Sequence, residues 1–247
     1  ASGDGTVAER PGDARTHPGL PPDMLRPGAV VVTMPTDLAH GGDPRQWWQY
    51  RPGASWRQPG GPGSDIKGHD AFPVVAVTIE DARAYARWKG HDLPSEAEWE
   101  WAARGGQGLV PGTTTQPQQA NTWQGFFPLK NAATDGFAGV APVGCFPANG
   151  YGLHDMIGNV WELTQDAYLP FHGDNTPPDQ SPVPHRPGQV AGQRVIKGGS
   201  YLCAPNYCMR YRAGARQPQD DDLATSHLGF RTILRDTGPV AAQPEKP

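Results

Sequence analysis

Thirty-two glycines and 28 prolines, about a quarter of the 247 residues, are the strongest constraint on what this chain can fold into. Proline removes a backbone donor and glycine costs backbone entropy inside helices and strands, so most of such a chain must run in turns and irregular segments. The density approaches the roughly 25–30% at which low-complexity chains lose structure altogether. Eight Trp, seven Tyr and seven Phe argue for order instead. Disordered chains are poor in rings, because they cannot bury enough apolar surface to offset the entropy of ordering. With 36% apolar residues, the chain reads as one folded, turn-dominated domain.

Composition excludes several classes of function. No apolar run approaches the roughly 20 residues that cross a bilayer, and the N-terminus lacks the basic-then-apolar pattern of a signal peptide. No membrane partner is expected. The net charge of −4 provides no basic field, so no nucleic-acid partner is expected either. Three cysteines are far too few for a disulfide scaffold, and the odd number leaves at least one free thiol. Because the chain opens on Ala rather than Met, an upstream portion is expected to have been removed, in nature or by design.

Two helices are legible. Thr78 and Asp81 form a capping box, with Gly90 as the stop, and the spacing predicts an inner face of Ala82, Tyr85, Ala86 and Lys89. Ser95 and Glu98 form a second box, with Gly105-Gly106 as its end. The apolar run Pro73 to Val77 predicts a strand, and alternation predicts strands over Arg194 to Ser200 and His227 to Leu234. Before Asp70 the chain reads as long loops pinned by Trp47, Trp48 and Trp56. Phe171 to Gly192 reads as an exposed proline-rich connection, and Asp236 to Pro247 as a disordered tail, leaving residues 1–235 as the domain.

Cys203 and Cys208 stand five positions apart, directly after Lys197-Gly198-Gly199-Ser200. Two thiols on a short loop can close a strained disulfide, bind a soft metal such as Cu(I), act as nucleophile and resolving thiol, or simply fill core. Zinc suits them least, because a structural zinc site wants four ligands and Cys145 lies about sixty residues upstream without a paired His.

The segments around this pair resemble the active-site region of formylglycine-generating enzymes, in the sulfatase-modifying-factor family. Those segments are Lys197-Gly198-Gly199-Ser200-Tyr201-Leu202-Cys203, Tyr207-Cys208-Met209-Arg210-Tyr211-Arg212, Ala215-Arg216 and Leu228-Gly229-Phe230-Arg231. Leu93 to Glu100, Ala120 to Gly125 and Asn149 to Glu162 are similar to the same family in order and spacing. The resemblance implies an α+β fold with little regular secondary structure, of the sulfatase-modifying-factor type and related to C-type-lectin-like folds. It also implies a copper-dependent oxidase that uses O2 to convert a cysteine in a Cys-x-Pro-x-Arg segment of an unfolded sulfatase polypeptide to Cα-formylglycine. Cys203 and Cys208 would hold Cu(I), and hydrogen removal from the substrate Cβ would give a thioaldehyde that water hydrolyses. Ser200 and Trp161 match positions on the oxygen side of this site, and Tyr207 matches a ring beside it. His227 lies next to the expected peptide groove, where it reads either as a polar contact to the substrate or as a satisfied core histidine.

Two structural Ca2+ sites are implied as well. One would use the side chains of Asp155 and Glu162 with the carbonyls of Gly158 and Val160; the other, the side chains of Asn121 and Asp135 with the carbonyls of Thr122 and Phe137. Without the resemblance both segments read as ordinary turns. Relatives usually begin with an additional strand-and-helix segment that has no counterpart here, so the chain is expected to be a processed or shortened form whose missing piece associates elsewhere. A monomer in the bacterial cytoplasm is expected. The alternative is a non-catalytic peptide- or carbohydrate-binding module on the same scaffold, whose members tend to lack the cysteine pair. An iron-dependent sulfoxide synthase would need a His-rich site, and the eight His show no such arrangement.

Overall fold

The computed structural model describes residues 5–37, 43–107, 117, 119–169 and 192–235. The expected tail from Asp236, and the expected proline-rich connection apart from Gly192, lie outside these residues.

Strand β1 (Gly28–Val32) pairs antiparallel with β2 (Trp48–Pro52), so the segment read as loops carries a two-stranded ladder. Helix α1 (Ile79–Lys89) starts at the Thr78/Asp81 capping box and ends at Gly90 in the left-handed region. Helix α2 (Glu96–Arg104) starts at the Ser95/Glu98 box and ends at Gly105. The buried face of α1 is Ile79, Ala82 and Ala86; Tyr85 and Lys89 are exposed, contrary to the expected face. Positions 79, 82 and 86 share one stripe at helical spacing, and Tyr85 lies off it, its ring against Trp88 and Phe230.

Strands β3 (Gly125–Phe126) and β4 (Lys130–Asn131) form a short hairpin. The main sheet has the order β7-β6-β5-β8, built from β5 (Trp161–Ala167), β6 (Gln193–Lys197), β7 (Gln217–Asp220) and β8 (Leu228–Gly229). Only β5 and β8 run parallel. The expected strand from His227 to Leu234 shrinks to two residues plus a bridge between Ile233 and Asp92. Pro73 to Val77 is not a strand: Ala76 has φ 57°, which turns the chain, and one bond from Ala76 N–H to the Thr225 carbonyl replaces a ladder. With few helices and short mixed sheets, the architecture is α+β with little regular secondary structure.

One core cluster joins Ile79, Ala82 and Ala86 of α1 to Trp161, Leu163, Ile196 and Leu228 of the sheet, and includes both Cys203 and Cys208. A second joins Trp47, Trp123 and Phe127 to Tyr201, Leu202 and Ala204. The turn that carries the thiols is therefore the seam between two cores.

Candidate functional site

Strand β6 ends at Lys197, and Gly198 and Gly199 take positive φ to swing the chain off the sheet edge. A side chain at Gly199 would meet the Arg210 carbonyl at 3.2 Å and Cys203 Sγ at 3.3 Å, so the position favours glycine twice over. The turn then closes through Cys203 N–H to the Ser200 carbonyl and Cys208 N–H to the Ala204 carbonyl.

This closure brings the two Sγ atoms to 2.7 Å, beyond the roughly 2.05 Å of a bond, and both cysteines are free. Both are buried. Ser200 N–H donates to Cys203 Sγ at 3.4 Å, and Arg210 Nη1 lies 4.0 Å from Cys208 Sγ. Burial, reinforced by the neighbouring sulfur, pushes the Cys203 thiol well up. Cys208 is drawn down to about 7 by its contact with Cys203 and by the Arg210 side. Of the two, Cys208 is the one that gives up its proton more readily. Two converging soft sulfurs suit Cu(I), and Cys203 and Cys208 could hold it.

The other expected site residues gather around the pair. Trp161 opens β5 in the same core cluster, and its N–H donates to the His227 carbonyl. Ser200 Oγ lies 3.3 Å from His227 Nδ1. Burial lowers His227 to about 3, so the ring is neutral. Tyr207 is 40% exposed and stacks on Phe127 with centroids 4.1 Å apart.

Three contributors carry no expected role. Trp48 donates its indole N–H to Tyr207 Oη at 3.1 Å and sets its ring edge against His227. Phe127 supplies the stacking partner, and Asn206 grips its backbone from both sides: Phe127 N–H donates to Asn206 Oδ1, and Asn206 Nδ2 donates to the Phe127 carbonyl. Trp48 was visible only as an anchor. No pattern in the sequence marks Asn206, which reads as an ordinary residue after proline.

The first oxygen-rich loop contains Asn121, Thr122, Asp135 and Phe137. Asn121 Oδ1 is buried and has no hydrogen-bond partner among the described residues. Thr122 N–H donates to Asp135 Oδ2, and Phe137 N–H to Asp135 Oδ1, so these three residues converge. An orphaned oxygen acceptor next in sequence to Thr122, together with a carboxylate, is a donor set that fits a hard cation.

The second loop differs. Asp155 Oδ2 accepts from Gly144 N–H, but both Glu162 oxygens are engaged, by Trp99 Nε1 at 2.6 Å and by Arg231 at 2.5 and 2.6 Å. Glu162 works here as half of a buried ion pair. Gly158 and Val160 lie in the turn before β5, and a side chain at Gly158 would come within 2.3 Å of the Asn121 carbonyl, so the two loops abut.

A helix-poor α+β scaffold whose buried thiol pair sits on a glycine-aimed turn defines a class of proteins that build their site from loops. The sequence pattern of the sulfatase-modifying factor enzyme 1-like domain matches residues 14–236, and the chain belongs to that family. The formylglycine-generating enzyme of Mycobacterium tuberculosis H37Rv is 48% identical over 244 residues, covering 94% of this chain and 81% of that protein. The formylglycine-generating enzyme of Mus musculus is 41% identical over 233 residues, covering 92% of this chain and 59% of that protein. An inactive Cα-formylglycine-generating enzyme 2 of Mus musculus is 44% identical over 191 residues, covering 75% and 56%. The chain thus spans about three fifths of the mouse proteins' length. Among the described residues, no helix is long and apolar enough to cross a membrane.

Proposed function

We propose that this chain is a formylglycine-generating enzyme: a copper-dependent oxidase that uses O2 to convert the cysteine of a Cys-x-Pro-x-Arg segment in an unfolded sulfatase polypeptide to Cα-formylglycine. Family membership alone does not decide this, because the inactive mouse relative, 44% identical over 191 residues, is about as similar as the mouse formylglycine-generating enzyme, 41% identical over 233. The observation that carries the reading is the buried Cys203/Cys208 pair, its sulfurs 2.7 Å apart, with the Ser200 N–H on Cys203 Sγ and Trp161 in the same core cluster. A binding module on this scaffold would use such a pair only as core packing or as a disulfide.

The chemistry supplied by Cu(I) when bound is capture of a third, substrate sulfur and electron transfer to O2. The chain prepares the place. The Arg210 guanidinium steadies negative charge on Cys208, and the Ser200 N–H donates to Cys203 Sγ. Burial keeps water away and keeps His227 neutral, so its ring can accept or donate a hydrogen bond without bringing a charge. Tyr207, exposed on one side and held by Trp48 and Phe127, offers an aromatic wall to an incoming peptide.

Ca2+ would serve as a structural ion. Asn121, Thr122, Asp135 and Phe137 form the better set, because Asn121 Oδ1 is already unpartnered. At the loop of Asp155, Gly158 and Val160 a cation would have to share Glu162 with Arg231. We place the enzyme as a monomer in a bacterial cytoplasm. The test loads the chain with Cu(I), adds O2 and a Cys-x-Pro-x-Arg peptide, traps product with a hydrazide and weighs it. A trapped aldehyde is expected; its absence from fully metallated protein would refute the oxidase reading.

A further inference from the structure

Gln124 has no role in the proposed reaction, yet its carboxamide is hydrogen-bonded on both sides within the cation loop. Nε2 donates to the Thr122 carbonyl at 2.6 Å and to Asp135 Oδ2 at 2.7 Å. Oε1 accepts from Asp135 N–H at 3.1 Å and from Thr134 Oγ1 at 3.3 Å. One side chain therefore ties two of the four oxygen donors to each other and fixes the backbone that presents the carboxylate. Alongside it, Asn121 Oδ1 stays buried and unpartnered among the described residues, while Asn121 Nδ2 is engaged by the Gly139 carbonyl and Asn159 Oδ1. That arrangement holds the Asn121 oxygen side free and the amide side locked.

We infer that Gln124 is the positioning residue of this loop, holding the Thr122 carbonyl and the Asp135 carboxylate in place for a hard divalent cation that Asn121 Oδ1 completes. The inference rests on the Ca2+ reading above. Residues that orient metal ligands without touching the metal typically account for about 10–100-fold in affinity, and a carboxamide joining two donors acts in that way. The loop is also wired to the thiol turn: Trp123 N–H, one residue before Gln124, donates to the Cys203 carbonyl at 3.0 Å.

The test measures Ca2+ affinity by calorimetry on the wild-type chain, Gln124→Ala and Asp135→Asn, with melting temperatures taken in chelator and in excess Ca2+. Binding by the wild type, loss of it in Asp135→Asn and an affinity about 10–100-fold weaker in Gln124→Ala are expected. Wild-type protein that binds no Ca2+, or binds it as well after Asp135→Asn, refutes the cation reading itself. Wild-type affinity in Gln124→Ala beside a defective Asp135→Asn overturns the positioning role alone. Should Gln124→Ala fail to fold, Gln124→Glu keeps the length and the acceptor but turns both amide donors into a carboxylate facing Asp135. Its melting temperature in chelator should fall below wild type and rise further on adding Ca2+; a rise equal to that of wild type overturns the inference.

Discussion

At the residue scale the two sulfurs do unequal work. Cys203 is more deeply buried and favours the thiol, whereas Cys208 leans toward thiolate beside Cys203 and Arg210. Removing either sulfur leaves one donor where Cu(I) wants two. Cys203→Ser and Cys208→Ser should each abolish Cu(I) binding, read by competition with a chromogenic chelator, and turnover with it, while circular dichroism stays native. His227 makes the opposite kind of demand. Its folded pKa of about 3 lies below the ordinary 6.5, so the unfolded chain takes up a proton first as pH falls. Stability is unaffected above about pH 6.5 and declines below it by about 1.4 kcal/mol per pH unit from this one group, until the folded value is reached. Urea denaturation at pH 7 and pH 5.5 should show that His227→Asn removes about that much of the acid-side loss. An unchanged slope in the variant would mean that other groups set it.

At the level of elements, the two helices were legible because their ends are written locally: Thr78 with Asp81, and Ser95 with Glu98, are capping boxes spanning only four residues, and glycines mark the stops. Strand β5 was not legible. Trp161, Glu162, Leu163 and Thr164 are all buried, so polar and apolar residues do not alternate, and Glu162 is tolerated there only because Arg231 and Trp99 arrive from distant segments. The thiol pair could be read since its members are neighbours in sequence, whereas its support could not. Trp48, Phe127 and Asn206 meet only through tertiary contacts across 79 residues or more. That support gives a testable element: Asn206 staples the β3–β4 connection to the thiol turn through the Phe127 backbone. Asn206→Ala leaves the buried Phe127 N–H and carbonyl without that partner, at about 1–3 kcal/mol. The hydrogen-exchange protection of the Phe127 amide should collapse, and kcat should fall more than global stability does; protection equal to wild type would show that the staple is dispensable.

For the molecule as a whole, scarce ladder hydrogen bonds must be replaced by contacts that join segments distant in sequence. Glycine and proline limit every sheet to short strands, and charged side chains then do the joining. Lys197, fully buried at the end of β6, lies 3.5 Å from Glu96 and 3.2 Å from Glu100 of α2, and Arg216 reaches Glu96 from beyond the thiol turn. The Glu162–Arg231 pair does the same for β5 and the segment after β8, with Arg231 also donating to the His154 carbonyl. Such pairs confer geometry more than net stability, since each charge must first be stripped of water. The consequence is asymmetric. Arg231→Met abandons a buried carboxylate and should cost about 3–5 kcal/mol in urea denaturation, enough to threaten a fold whose total stability is about 5–15 kcal/mol. Adding Glu162→Gln to Arg231→Met removes the stranded charge and should recover a large part of that loss. If the double variant is as unstable as Arg231→Met alone, the loss comes from Arg231's own packing and its bond to His154, and the carboxylate is not what the arginine is there to hold.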